Sequence, residues 1–235
     1  MQTAAVVIIG NEILSGKYAD ENGPFFVRRL RELGVRLMRL VVVPDVSEII
    51  GAEVRACSES VDHVFTTGGV GPTHDDITME SIAAGFGVPC PRHPELEEVI
   101  RKRGHGQVNA AVLRMALAPE GCELWWDGEV FFPTIRFRNV VILPGVPHIM
   151  RRKFDAIAHR FQGTPISTAR VVTERYESDI AATLSQALSR FPGVEIGSYP
   201  RLEEENKHVV VTVEGTDSRQ VDACAAWLRS ALGNE

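Results

Sequence analysis

Short apolar runs alternate with amphipathic segments through the first half of the chain, and this alternation restricts the fold more than any other feature. The runs Ala4–Ile9, Leu37–Val43 and Val61–Thr67 have the length of strands and are apolar enough to be covered on both faces. Between them, Asn22–Leu33 and Ser47–Glu59 carry apolar residues at helical spacing. This β-α-β-α-β order predicts an α/β fold with a doubly wound, mostly parallel sheet.

The order of elements continues less regularly up to residue 163. The sequence predicts helices over Thr78–Phe86, Glu95–Arg103 and Ala110–Leu117, a hairpin holding Trp125 and Trp126, a strand over Val140–Leu143 and a helix over His148–Phe161. A patch rich in glycine, histidine and asparagine, 104–109, separates the second and third of these helices. Gly163-Thr164-Pro165 has the composition of a linker, so a first domain is expected over residues 1–163.

Residues 166–235 form a second expected domain, because their elements follow another order. A strand, a helix, two antiparallel strands and a final helix are predicted over Ser167–Thr173, Glu177–Arg190, Val194–Tyr199, His208–Val213 and Ser218–Leu232. The acidic segment Glu203–Asn206 makes the turn between the two antiparallel strands. This β-α-β-β-α order predicts a small α+β unit.

Composition and the first residues indicate where such a protein works. A chain with 44% hydrophobic residues and a formal net charge of −6 is globular and lacks the basic excess that nucleic-acid binding requires. The four cysteines form no close pairs, which predicts reduced thiols rather than a disulfide framework or a zinc site. The first apolar run is too short to span a membrane and follows no basic segment. We therefore expect a cytoplasmic protein that binds neither nucleic acid nor membrane.

The sharpest local feature is Thr66–Thr78, where a strand runs into a glycine-rich loop and then a helix. Backbone N–H groups of such a loop, with the helix N-terminus behind them, can cradle phosphate oxygens. Glycine alone is weak evidence, since tight strand-to-helix turns need it for steric reasons. Asp75 and Asp76 have two interpretations: they cap the helix, or they hold a divalent ion such as Mg²⁺ beside the phosphate.

Acidic residues follow each of the first three predicted strands. Glu12 follows the first strand, Asp45 the second, and Asp75 and Asp76 the third. The carboxyl ends of parallel strands meet at one edge of a sheet, where ligands of doubly wound folds usually bind. The prolines of Leu143–Pro147, after a further strand, suit a rigid wall of the same site.

Several motifs together resemble a known family. Thr66–Thr78 with Glu80 is similar to the Gly-Gly-x-Gly…Asp-x-Thr-x-Glu signature of the molybdopterin-binding domain family of MogA, MoaB and MoeA. Gly10–Gly16, Asn22 and Leu143–Pro147 extend the resemblance to the CinA-like branch. The N-terminal domain of eukaryotic FAD synthases is more similar still, through Val42–Asp45, Gly71–Asp76, Arg138–Val140, Arg151–Phe154 and Gly197–Pro200.

The resemblance implies a three-layer α/β core that is usually oligomeric, so we expect a homo-oligomer, a dimer or a trimer. CinA-like and FAD-synthase-like domains are associated with metal-dependent hydrolysis of nucleotide pyrophosphates such as ADP-ribose and FAD. Asp45 and Asp76 match the acidic positions implicated in catalysis, and with Asp75 they are expected to organise a divalent ion, Mg²⁺ first and Mn²⁺ or Co²⁺ as alternatives. The residues expected to contact the ligand are Gly10, Glu12, Thr67, Gly68, Gly69, Gly71, Thr78, Glu80, Pro144 and Gly145.

Two other functions stay open at this point. MogA-like members bind molybdopterin and adenylylate it, so a pterin ligand is the first alternative. The second alternative is a non-catalytic module that binds a nucleotide or regulates a partner. Three features also have a functional and a more usual interpretation: His74 as a metal or phosphate contact or a solvated residue, Trp125 and Trp126 as purine-stacking or packing residues, and Arg151–Lys153 as a phosphate contact or a solvated helix face.

Overall fold

The structure of the protein is a computed structural model that describes residues 1–103, 108–128, 132–201 and 208–233. The chain divides into two compact units, Met1–Gly163 and Thr164–Glu235. Most of the patch 104–109 and the expected acidic turn Glu203–Asn206 lie outside the described residues. Among the helices of the described ranges, none is at once long and apolar enough to cross a membrane.

The first unit is built on one six-stranded sheet with helices on both faces, which confirms the predicted three-layer α/β fold. Its strands are β1 (Thr3–Ile9), β2 (Arg36–Val43), β3 (His63–Thr67), β4 (Glu123–Trp125), β5 (Thr134–Phe137) and β6 (Val140–Leu143). Its helices are α1 (Asn11–Leu14), α2 (Asn22–Glu32), α3 (Ser47–Ser60), α4 (Thr78–Phe86), α5 (Pro94–Arg103), α6 (Ala110–Arg114) and α7 (Pro147–Ile157).

The strand order is β2-β1-β3-β6-β5-β4, and the sheet is mostly parallel. Strands β1, β2, β3 and β6 run parallel, whereas β5 pairs antiparallel with both β6 and β4. The hairpin expected near Trp125 is formed by β4 and β5, and Trp126 follows its first strand. Helix α1 was not predicted, because four residues are too few to show a helical period, and the bounds of the two hairpin strands were not predicted either.

Different helices cover the two faces of the sheet. On one face, Phe26 of α2, Phe65 of β3 and Phe154 of α7 are fully buried, with ring centroids 5.1 to 5.5 Å apart. On the other face, α3 approaches α4 closely because Gly51 and Gly85 carry no Cβ. Since α2 and α3 lie on opposite faces, the direction of the winding reverses between β1 and β3. This reversal is the topological switch point, where open α/β sheets bind their ligands.

Two predicted helices are shorter than expected. The helix predicted over Ala110–Leu117 ends at Arg114, and the one predicted over His148–Phe161 begins at Pro147 and ends at Ile157. A 3₁₀ turn over Ala158–Arg160 follows the second of these helices. Apolar spacing continues through such turns, so periodicity alone does not show where the α-helix ends.

The second unit has the predicted β-α-β-β-α order. It consists of β7 (Ser167–Thr173), α8 (Glu177–Arg190), β8 (Glu195–Arg201), β9 (His208–Gly215) and α9 (Ser218–Leu232). The sheet order is β7-β9-β8 with antiparallel pairing throughout. Its core includes Val211 and Val213 of β9, packed with Ile180 of α8 and Leu228 of α9. This small antiparallel sheet with two helices confirms the predicted α+β unit.

Candidate functional site

A cavity of about 990 Å³ opens at the carboxyl edge of the first unit's sheet. Its walls come from the ends of β1, β3 and β6, from the segment before α2, and from parts of α4, α6 and α7. Small-molecule sites usually measure roughly 300–1,000 Å³ and in α/β sheets lie at the switch point. Both the volume and the position are therefore those of a ligand site.

The glycine loop after β3 lies at the centre of this wall. Gly68 and Gly69 have φ angles of 109° and 62°, which side-chain-bearing residues rarely adopt. A Cβ at Gly68 would also lie closer than 3.0 Å to the carbonyl oxygen of Ile9. Thr78 supports the loop from behind, because its N–H donates to Gly69 O at 3.0 Å and its Oγ1 to Gly68 O at 2.8 Å. Buried Thr78 thus holds the loop and does not itself line the cavity.

The two aspartates after the loop occupy different positions. Asp76 lines the cavity, and its Oδ2 accepts the backbone N–H of Thr73 at 2.8 Å. Asp75 is not among the residues that line the cavity, and its side chain is 59% exposed. Hydrogen bonds from the Thr73 hydroxyl and from its own backbone N–H hold the pKa of Asp75 below its ordinary value. Asp76 is therefore the carboxylate of this pair that a ligand meets.

Asp45 lies behind the wall and not on it. Its Oδ2 accepts the backbone N–H of Asn11 at 2.8 Å, at the start of α1. Glu12 of the same short helix does line the cavity, and its carboxylate lies over Gly10. The N–H of Gly10 donates to Val43 O at 3.2 Å and joins the ends of β1 and β2. Within the part of the chain that the structure describes, Asp45 thus contacts the helix that carries Glu12 and does not itself line the cavity.

The expected ligand-contacting residues fall into two groups. Those that line the cavity are Glu12, Thr67, Gly68, Gly69, Gly71, Glu80, Pro144 and Gly145. Gly10 and Thr78 lie behind the wall and support it.

The expected metal ligands are not gathered in one place. Within the ranges that the structure describes, no three His, Cys, Asp or Glu side chains converge on a position for a metal ion. Mg²⁺ does not need such a cage, because it is usually bound by one or two carboxylates together with substrate phosphates and water. Asp76 and Glu12, both on the cavity wall, offer carboxylates of this kind. The metal-ligand role of Asp45 and Asp75 stays a prediction.

Of the residues with two interpretations, His74, Trp125 and Trp126 do not line the cavity, as far as the described chain extends, whereas Arg152 and Lys153 do. His74 is 97% exposed, and its Nδ1 is 3.9 Å from Asp75 Oδ1. The Trp125 ring packs near Phe161 and under the guanidinium of Arg160, 4.5 Å from its centroid. Trp126 is exposed and donates its Nε1–H to Glu95 at 2.7 Å. These contacts favour the packing and solvated interpretations.

Asn22, the first residue of α2, links three walls of the cavity. Its Nδ2 donates to Thr67 Oγ1 at 2.9 Å and to Gly145 O at 2.8 Å. The Thr67 hydroxyl in turn donates a hydrogen bond to Pro144 O at 2.8 Å. Asn22 is 5% exposed, so its hydrogen bond to Thr67 is shielded from water, and the one to Gly145 is half-buried. They hold α2, β3 and the turn after β6 together.

Replacing Asn22 with Ala is expected to lower the free energy of unfolding by about 2 kcal/mol, because two hydrogen bonds are lost and the Thr67 hydroxyl stays buried without its donor. It should also weaken the binding of a ligand in the cavity, since the turn at Gly145 is no longer tied to β3. Asn139→Ala is the matched control: its amide also donates two hydrogen bonds, here to the backbone carbonyls of Ser58 at 3.0 Å and Val61 at 2.9 Å, away from the cavity. Urea unfolding should show similar losses of stability for the two variants. Titration with a nucleotide should show weaker binding only for Asn22→Ala. Unchanged binding by that variant would contradict the role of the link.

Arg114 is a cavity residue that the sequence did not single out. Its Nη2 donates to Glu80 Oε1 at 3.0 Å and to the backbone carbonyl of Asp76 at 3.2 Å. These partners are 34 and 38 residues away in the chain, so no local pattern marks the contact. Only the tertiary structure brings Arg114 to the glycine loop.

Lys153 also lies on the cavity wall, and the solvated interpretation of Arg151–Lys153 was wrong for this residue. Lys153 is half-buried, and its Nζ donates to Phe132 O at 2.6 Å and Pro133 O at 2.8 Å. The sequence did indicate this position, because Lys153 directly precedes Phe154, which belongs to the buried face of α7. Helical spacing therefore placed it beside the core.

Burial lowers the pKa of Lys153 from 10.5 to about 8. Between pH 8 and pH 10.5 the side chain of Lys153 binds fewer protons in the folded protein than in the unfolded chain. The contribution of Lys153 to the free energy of unfolding is therefore complete above pH 10.5 and is lost as the pH falls through about 8. The free energy of unfolding of the wild type, measured against Lys153→Met, should therefore rise from pH 8 to pH 10.5. Lys102→Met, at an exposed lysine, is the control for the loss of one lysine from the chain. A difference that does not change with pH would contradict the burial of the ammonium group.

Comparisons with known proteins agree with this architecture. The family described as "Probable molybdopterin binding domain" matches residues 5–163, and the one described as "FAD synthase, middle domain" matches residues 165–235. A protein of Archaeoglobus fulgidus is 34% identical over 230 residues, which cover 98% of each chain. A "Probable FAD synthase" of Caenorhabditis briggsae is 32% identical over 261 residues, which cover 98% of this chain and 50% of that protein. The chain thus spans half the length of this FAD synthase relative.

A solved structure shows the same fold for the first unit. The crystal structure of the protein CinA with unknown function from Thermoplasma acidophilum superimposes with a TM-score of 0.63 at 30% identity, covering 68% of this chain and 98% of that one. The resemblance inferred from the glycine loop and its flanking motifs is therefore confirmed. The chain belongs to the molybdopterin-binding domain family, with CinA-like proteins and FAD synthases among its relatives.

Proposed function

We propose that the unit Met1–Gly163 binds a nucleotide pyrophosphate, ADP-ribose or FAD, and hydrolyses it in a metal-dependent reaction. The observation that carries this proposal is the cavity at the switch point, where the Gly68–Gly69 loop and the carboxylates of Glu12 and Asp76 line one space. The FAD synthase relatives support a nucleotide ligand, over the half of their length that this chain matches.

The glycine loop is the proposed site of the pyrophosphate. Without side chains at Gly68, Gly69 and Gly71, phosphate oxygens can approach the backbone. Helix α4 begins behind the loop and adds the partial positive charge of its N-terminus. Apolar side chains, among them Met79 and Met115, line a further part of the cavity. They exclude water and offer a surface for the rings of a nucleotide.

Acidic residues around the loop are the proposed catalytic groups. Asp76 and Glu12 would hold the divalent ion, with oxygens of the substrate completing its ligands. Such an ion supplies polarisation of a phosphorus–oxygen bond and activation of a water molecule. Thr73 keeps the Asp76 carboxylate in place and also binds Asp75. Asp45 acts from behind, by fixing the start of the helix that carries Glu12.

The proposal predicts release of AMP from both substrates by the purified protein. ADP-ribose should give AMP and ribose 5-phosphate, and FAD should give AMP and FMN, each with uptake of one water molecule. Release is expected with Mg²⁺, Mn²⁺ or Co²⁺ and should stop when EDTA is added. No AMP from either substrate, with any of these ions, would contradict the proposal.

The description of the matching family favours a pterin as the second candidate ligand. In that case a pterin, and not ADP-ribose, should raise the unfolding temperature, and ATP should support adenylylation. A non-catalytic module would instead be stabilised by a nucleotide without any AMP release. Thermal unfolding with each ligand therefore separates the three functions. Light scattering on the same preparation tests the homo-oligomer, which also stays a prediction.

A further inference from the structure

Arg114 connects the acidic side of the glycine loop with the cavity. It is the last residue of α6, it lines the cavity, and its side chain is 35% exposed. One acceptor of its Nη2 is the carbonyl of Asp76, and the other is the carboxylate of Glu80 in the first turn of α4. The guanidinium is therefore held by the same elements that carry the carboxylates of the site.

These hydrogen bonds use only one end of the guanidinium. The group has five N–H donors in a rigid planar fork, and Nη2 carries two of them for its two acceptors. Nε and Nη1 carry the other three, and none of these meets an acceptor within residues 1–103, 108–128, 132–201 and 208–233. A fork of free donors on a cavity wall is suited to bidentate binding of phosphate oxygens.

Stability alone does not account for this arrangement. The two side chains of the Arg114–Glu80 pair are 35% and 39% exposed, and ion pairs with such access to water contribute little to folding. Any long polar side chain would serve as well to cap the Asp76 carbonyl. An arginine held at both Nη2 hydrogens instead loses little freedom when it binds a ligand, because its orientation is already set.

We infer that Arg114 binds a phosphoryl group of the ligand and that Glu80 positions it. The inference rests on the proposed function, since it assigns a contact in the same cavity. It also defines the ligand more narrowly: the donors of Arg114 match two oxygens of one phosphoryl anion. A neutral nucleoside or an uncharged ring has no group that satisfies them.

The test is a calorimetric titration of the protein with two ligands in the presence of Mg²⁺. One is the α,β-methylene analogue of ADP-ribose, which is not hydrolysed, and the other is adenosine, which has no phosphate. Arg114→Gln should raise the Kd of the analogue by roughly 10- to 100-fold and leave that of adenosine unchanged. Arg114→Lys should bind the analogue with intermediate Kd, because it keeps the charge and loses the fork. Glu80→Ala should have a smaller effect than Arg114→Gln, since it acts through positioning.

Arg101→Gln is the matched control, because Arg101 also pairs with a glutamate, Glu97, but lies outside the cavity. Its Kd for both ligands should equal the wild-type value, and urea midpoints should show that all variants are folded. An equal loss of both ligands in Arg114→Gln would assign the residue a structural role and overturn the inference, as would an unchanged Kd for the analogue. If the wild type itself binds neither ligand, the proposed function fails together with the inference. If the wild type binds the analogue and Arg114→Gln binds it equally well, only the inference fails.

Discussion

Replacing Asp76 with Asn is expected to reduce the rate of AMP release by a factor on the order of 10²–10³, the effect of removing one preorganised electrostatic group from an active site. The carboxylate lines the cavity beside the glycine loop, and Asn lacks the negative charge that a divalent ion requires. Its amide oxygen can still accept the backbone N–H of Thr73, so the turn should keep its shape. The measurement is kcat/KM for ADP-ribose, together with the urea midpoint.

Asp222→Asn controls for the loss of one negative charge from the whole protein. Asp222 is exposed on α9 of the second unit, so its replacement should change neither the rate nor the stability. A folded Asp76→Asn variant that retains wild-type kcat/KM would remove Asp76 from the mechanism.

Replacing Gly68 with Ala is expected to lower the free energy of unfolding by at least about 3 kcal/mol. The φ angle of 109° is strained for alanine, and the new Cβ would collide with the carbonyl oxygen of Ile9. Ile9 is buried at the end of β1, which pairs with β2 on one side and β3 on the other, so it cannot move away without disturbing the sheet itself. Urea unfolding followed by circular dichroism measures the loss.

Gly87→Ala separates the collision from backbone strain alone. Gly87 has a φ of 68°, and a Cβ there would meet no atom within 4 Å. This variant should lose only the strain of the left-handed conformation, about 1–2 kcal/mol. Equal losses at the two positions would show that the close approach of the loop to β1 does not require glycine.

Much of the fold was predictable because its central strands are short, apolar and bounded by loop residues. Ala4–Ile9 and Val140–Leu143 leave no amphipathic alternative, and the glycine loop identified both the family and the edge of the sheet that forms the cavity. The helix that was missed, α1, has four residues, too few for a helical period to appear.

The details of the site were less predictable, for two physical reasons. The end of a strand can be read from a sequence, but the direction of the side chain that follows it cannot. Asp45 follows β2 as expected, yet its carboxylate binds the N–H of Asn11 behind the cavity wall. Contacts between distant segments are equally hidden, and Arg114 reaches Glu80 only through the tertiary fold.

The central claim, that the edge of the sheet binds a nucleotide pyrophosphate, is tested most directly by hydrogen–deuterium exchange with the α,β-methylene analogue of ADP-ribose and Mg²⁺. The account predicts slower exchange in peptides covering residues 66–80 and 142–150, which border the cavity, and no change in residues 218–232. Unchanged exchange around the cavity at saturating analogue, or protection confined to the unit Thr164–Glu235, would contradict it.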